Sequence, residues 1–125
     1  VRDNQIGEGR QLEGLELAHR AVEIAADKQA VDIVLLDISK VSSFADYFVI
    51  CSGESNRQLR TIYEEIEHLL KKEGARVLHR EGAGDTGWFL LDYGDVVVHI
   101  FGSYERELYN LEELWSEAPA LLRVQ

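Results

Sequence analysis

The chain has 125 residues, the length of a single domain, and 46% of them are hydrophobic, enough to build a core without disulfides or a structural metal. Thirteen Lys and Arg against 23 Asp and Glu leave a formal charge of -10 with the acids interspersed. That balance disfavours general binding to bare nucleic acid, which needs a basic stripe, and favours a basic protein partner. One cysteine, Cys51, excludes an intramolecular disulfide framework and suits a reducing compartment. No apolar run reaches the roughly 18 residues of a membrane span and the start lacks a signal-peptide core, so a cytoplasmic protein is expected.

Residues 1–10 carry no pattern and are expected to be a disordered tail. Leu12, Leu15, Ala18, Val22 and Ala25 recur at helical spacing and predict a helix over 11–28. VDIVLLDIS (31–39) and ADYFVICSG (45–53) are short apolar runs rich in β-branched residues, the texture of strands covered on both faces. Leu59, Ile62, Tyr63, Ile66, Leu69 and Leu70 then mark a second helix, entered at Ser55 or Asn56 and closed by Lys71, Lys72 and Gly74. With ARVLHRE (75–81) as a third strand this is a βαβ unit. Residues 103–119 read as one or two short helices ended by Pro119, and 119–125 as a C-terminal tail.

WFLLDYGDVVVHIF (88–101) is two strand-like runs joined at Tyr93-Gly94, with glycine at the second central position of a primed turn. That register sets Asp92 opposite Asp95, Leu90 opposite Val97 and Trp88 opposite His99. Phe89, Leu91, Val96, Val98 and Ile100 then share an apolar core face. Trp88, Leu90, Asp92, Asp95, Val97 and His99 share the other, whose mixture of aromatic, aliphatic and charged groups suits an interface. Opposed carboxylates repel, so the Asp pair needs either local backbone N–H groups or an Arg or Lys from a partner. A helix covering this face, as in other α/β folds, is the competing reading.

Catalytic constellations are thin. Nothing near Asp92 and Asp95 completes a metal site, and His19, His68, His79 and His99 show no zinc-ligand spacing. Cys51, inside an apolar strand, reads as an inert small hydrophobe. SGES (52–55) could cradle an anion at a helix N-terminus, but it reads equally as a turn plus N-cap.

DYFVICSGESNRQ (46–58), the stretch from Glu81-Gly82 to Trp88, DYGDVVVHIF (92–101) and RELYNLEELW (106–115) together resemble the ribosomal silencing factor (RsfS/Iojap) family over residues 12–118, setting the domain at 11–118. The resemblance implies a single-domain α/β fold, a mixed sheet of about five strands flanked by helices with nucleotidyltransferase-like topology. It implies no cofactor and no catalysis, since no Asp-x-Asp or Asp-x-Glu follows SGES to hold Mg²⁺. It further implies docking on the large ribosomal subunit through its L-fourteen-type protein, blocking subunit joining and repressing translation under nutrient limitation. The expected partner-binding residues are Trp88, Leu90, Asp92, Tyr93, Asp95, Val97 and His99, with Tyr93 at the turn tip. Arg106 and Tyr109 could equally be structural links between the last helix and the sheet. Two other readings stay open: a nucleotide-binding or nucleotidyltransferase-like enzyme using SGES and the Asp pair, and a homodimer formed by the same face.

Overall fold

The structure, a computed structural model, describes residues 12–82 and 86–124; the tail expected over 1–10 lies outside these residues. The elements in chain order are α1 (Gly14–Asp27), β1 (Val31–Asp37), β2 (Tyr47–Gly53), α2 (Asn56–Lys72), β3 (His79–Glu81), β4 (Trp88–Asp92), β5 (Val96–Gly102), α3 (Ser103–Tyr109), α4 (Leu111–Leu114) and β6 (Ala120–Val124). The strands form one sheet in the order β3-β4-β5-β2-β1-β6. Among the described residues only β2 and β5 pair in parallel. The single-domain mixed α/β sheet is therefore as expected.

It has six strands rather than about five, because residues 120–124, read above as tail, pair antiparallel with β1 from Ile33 and Val124 to Leu36 and Ala120. An edge strand needs little more than a backbone partner, so ALLRV carries almost no pattern of its own. Pro119 ends the helical segment and leads into this edge, its carbonyl accepting from the Asp37 amide at 3.0 Å.

The third strand shrinks to His79–Glu81, exposed throughout. The first of the residues before it, up to Ala75, belong to the stop of α2, and 76–78 form a short connection whose Leu78 amide donates to the Asp92 carbonyl at 2.8 Å. Ala75 N–H donates to the Leu70 carbonyl at 2.8 Å and Gly74 N–H to Lys71 at 3.2 Å, with Gly74 at φ +101°: a Schellman stop. At the other end Ser55 Oγ accepts from the Gln58 amide at 3.1 Å, which makes Ser55 rather than Asn56 the N-cap. Through β5 and β4, β3 runs in the same direction as β2, so the β2-α2-β3 crossover spans two intervening strands.

Strand side chains alternate, and the two sheet faces have different covers. One lies under α1 and α2, which bury Leu17, Ala21, Ile24, Leu59, Ile62 and Ile66 against Leu35, Val49, Phe89, Leu91, Val98 and Ile100. The second holds Val34, Leu36, Phe48, Ile50, Val97 and Phe101, with Leu111, Trp115 and Ala118 of the C-terminal segment folded over them.

Candidate docking face

The β4–β5 hairpin places Asp92 opposite Val97, Leu90 opposite His99 and Trp88 opposite Phe101. The register expected above is thus corrected by two residues. The turn is centred on Gly94-Asp95, closed by Tyr93 N–H donating to the Val96 carbonyl at 2.8 Å, with Gly94 at φ +95° in the first central position, as a type II′ turn requires. Two effects shift it. Tyr93 adds one more pair to the ladder by burying its ring, 8% exposed, in the helix-covered core. Asp92 Oδ1 accepts from the Gly94 amide at 2.8 Å and folds the turn locally. A slip of two leaves the strand side chains on their predicted faces, since the pleat repeats every two residues, while Asp95 moves into the turn and reaches the start of α1.

The correction separates the two carboxylates. Asp92 holds its own turn, and Asp95 Oδ2 accepts from the Gly14 amide at 2.7 Å, supplying the first turn of α1 with the anion that its N-cap, Glu13, does not. Neither carboxylate opposes the other, and a backbone amide satisfies each, a local one for Asp92 and one from the start of α1 for Asp95. Tyr93 is not at the turn tip. Among the described residues no group of three or more His, Cys, Asp and Glu could hold a metal.

On the second face Val97 and His99 are buried, while Trp88, Leu90 and Asp92 are half-exposed. Val97 and His99 therefore support the surface from beneath. Trp88 Nε1–H donates to His99 Nδ1 at 3.2 Å, which puts the ring proton of a neutral His99 on Nε2. Burial lowers the His99 pKa from its ordinary 6.5 to about 4, so the imidazole stays an acceptor at neutral pH. Nε2 has no hydrogen-bond partner. The ring instead lies edge-to-face with Phe48, centroids 4.7 Å apart.

Aromatic contacts hold the indole in a three-ring cluster, in which Phe101 and Tyr109 also face each other at 6.1 Å. Trp88 stacks on Phe101 at 5.2 Å and tilts against Tyr109 at 4.6 Å. With Glu81, Gly82, Thr86, Leu90 and Tyr109 it lines an open groove of about 280 Å³. Phe101 and Trp115, which the linear pattern assigns to no site, complete this aromatic layer; the correct hairpin register alone would have set Phe101 opposite Trp88.

Arg106 is a structural link. Its guanidinium grips Glu112 through Nε at 3.1 Å and Nη2 at 2.7 Å, while Nη1 donates to Ser52 Oγ at 2.9 Å, tying α3 and α4 to the end of β2. Tyr109 is thereby set over Trp88. In SGES the Glu54 amide donates to Gln58 Oε1 at 2.7 Å, so the loop is turn and N-cap with one amide already engaged. Cys51 is fully buried and desolvation pushes its thiol up to about 12, as an inert core residue requires. No helix among the described residues is long and apolar enough to cross a membrane.

Comparison with known proteins agrees with this architecture. A family model described as ribosomal silencing factor during starvation matches residues 11–125, so the matched region includes β6. A ribosomal silencing factor RsfS of Bacillus subtilis (strain 168) is 47% identical over 93 residues, 74% of this chain and 79% of the relative. That of Halalkalibacterium halodurans is 41% identical over 106 residues, 85% and 91% of the two chains. A crystal structure of a Chromobacterium violaceum protein superposes with a TM-score of 0.80 at 35% identity, covering 83% of this chain and 87% of that one. The nucleotidyltransferase-like comparison is not confirmed by these matches. The chain, with its mixed six-stranded sheet and its aromatic hairpin face, belongs to the ribosomal silencing factor (RsfS) family.

Proposed function

We propose that this protein docks on the large ribosomal subunit through its L-fourteen-type protein, blocks subunit joining and so represses translation when nutrients are short. It acts as a binding module without chemistry. The observation that carries this reading is the half-exposed Trp88, hydrogen-bonded to His99, packed in a three-ring cluster with Phe101 and Tyr109, and opening with Leu90 onto an apolar groove. A rigid aromatic anchor in a partly desolvated pocket is where interfaces concentrate their energy. Trp88, Leu90 and Asp92 make the contact, flanked by Tyr109; Val97 and His99 hold it in place, and Tyr93 and Asp95 fix the hairpin. The net charge of -10 suits a basic ribosomal protein. The mouse relative at 31% identity is named for mitochondrial assembly of the ribosomal large subunit, which points to the same particle.

Co-sedimentation with isolated large subunits tests this. Wild type is expected to pellet with them and to reduce joining of added small subunits. Trp88→Ala should weaken binding on the order of 30-fold, the loss typical of a hot-spot aromatic. Binding unchanged in that variant would move the contact to another surface, and no binding at low salt would overturn the reading.

A further inference from the structure

The acidic character of the chain is not uniform. Four of its 13 Lys and Arg, Lys71, Lys72, Arg76 and Arg80, fall within residues 71–80, where the only acid is Glu73. Glu73 is already held by Arg20 at 2.9 Å, on the far side of the α2 terminus. Arg80 pairs with Glu67, whereas Lys71, Lys72 and Arg76 are exposed and have no ion-pair partner among the described residues. Lys71, Arg76, His79 and Arg80, together with the Glu67 that Arg80 holds, line a groove of about 400 Å³ between the end of α2 and β3; Lys72 lies beside Lys71 in sequence but outside this lining.

This groove adjoins the docking face. β3 is the edge strand beside β4, with His79 opposite Asp92 and Arg80 opposite Leu91. Alternation sends His79 and Glu81 toward the Trp88 side of the sheet and Arg80 toward α2, so one exposed edge separates the aromatic anchor from the basic groove. A partner seated on Trp88 and Leu90 brings its surroundings against that edge.

We propose that Lys71, Lys72 and Arg76 form a basic rim that contacts the phosphate backbone of ribosomal RNA next to the docked protein partner. The inference rests on the docking reading and names a second component of the same interface. Exposed cations with no ion-pair partner among the described residues, two of them lining a groove beside a sheet edge, suit a polyanion, and phosphate contacts of this kind position a complex without reading sequence. The overall charge of -10 opposes RNA binding by the free protein, so the rim engages only once the aromatic face has placed it.

The test compares the full chain with a Lys71→Gln, Lys72→Gln, Arg76→Gln variant, measuring affinity for large subunits and for the isolated L-fourteen-type protein over a range of salt. All three side chains are exposed, so a retained cooperative unfolding transition, lowered only by the loss of the two cations in the last turn of α2, checks the fold. The proposal expects the variant to bind subunits about tenfold more weakly at low salt, with a salt slope shallower by roughly 2 to 3, while its affinity for the isolated protein stays that of wild type. Equal affinity and slope on subunits would overturn the rim and leave the docking reading standing. A variant weakened equally against the isolated protein would assign the rim to protein contact and overturn the RNA assignment. Wild type binding neither target would overturn docking itself, and the rim with it.

Discussion

The two faces of this sheet are built from the same strands yet end in different states. Under α1 and α2 the face is closed by long helices whose seams bury Leu17, Ile24, Leu59, Ile62, Ile66 and Leu70, all at most 2% exposed. Over the other lie two short helices that bury no residue of their own, assisted by Trp115 and Ala118. The first face spends its apolar area on stability. The second is completed by aromatic rings and leaves Trp88, Tyr109 and Leu90 partly open. Flat rings with few rotamers keep a fixed shape while half-solvated, which a set of aliphatic side chains does less well. A rigid surface next to a complete core is what a docking protein needs.

Placing a charge on each face gives the widest contrast. Val98→Asp buries an unpaired carboxylate at a position with no exposure beneath the helices and is expected to remove more than about 4 kcal/mol, leaving no cooperative unfolding transition by circular dichroism. Leu90→Asp, on the half-exposed face, is expected to fold with a lowered thermal midpoint and to lose subunit binding. If both variants unfold, the second face is core and not docking surface.

The next largest effect concerns pH. His99 has a folded pKa near 4 against an ordinary 6.5, so the unfolded chain binds its proton more readily. Its contribution is whole above about pH 6.5 and is lost as the pH falls toward about 4, reaching roughly 3 kcal/mol at the acid end. Urea unfolding at pH 7 and pH 4.5 should therefore show a steeper acid loss in wild type than in His99→Phe. Parallel losses would mean that His99 titrates normally and that Trp88 is not held by a neutral imidazole.

Arg106→Ala tests how the open face is kept in shape. It strands Glu112 and removes a donor from the buried Ser52, costing about 2 kcal/mol. Because α3 then loosens over Trp88, tryptophan fluorescence should shift toward that of a solvated indole. The smallest effect lies at the hairpin turn: Asp95→Ala removes the acceptor of the Gly14 amide and should cost about 1 kcal/mol of stability, with subunit binding unchanged. A binding loss there without a stability loss would return Asp95 to the interface.

The strand and helix patterns were legible because they depend on spacing alone. The α2 stop at Gly74 and the face assignment of Phe89, Leu91, Val98 and Ile100 could be read directly, and the N-cap was narrowed to Ser55 or Asn56, of which the structure selects Ser55. The hairpin register could not: Gly94 fits a primed turn at either central position, and choosing between them required the burial of Tyr93 against helices far away in sequence. The end of the chain was missed because β6 is specified by the free edge of β1 rather than by ALLRV itself.

Local chemistry along the chain thus determined the helices, most of the strands and the core face, because periodicity and capping are properties of neighbours in sequence, while the order of the motifs carried the resemblance that implied the family and its mixed α/β sheet. Tertiary structure decided which members of the mixed face reach solvent. Val97 and His99 share their strand and parity with residues that could have been open, but exposure depends on what packs above them. That cover comes from Trp88 across the hairpin, Phe48 of β2 and the C-terminal segment with Trp115, tied to the sheet by Arg106, and pairings over such separations leave no periodic trace.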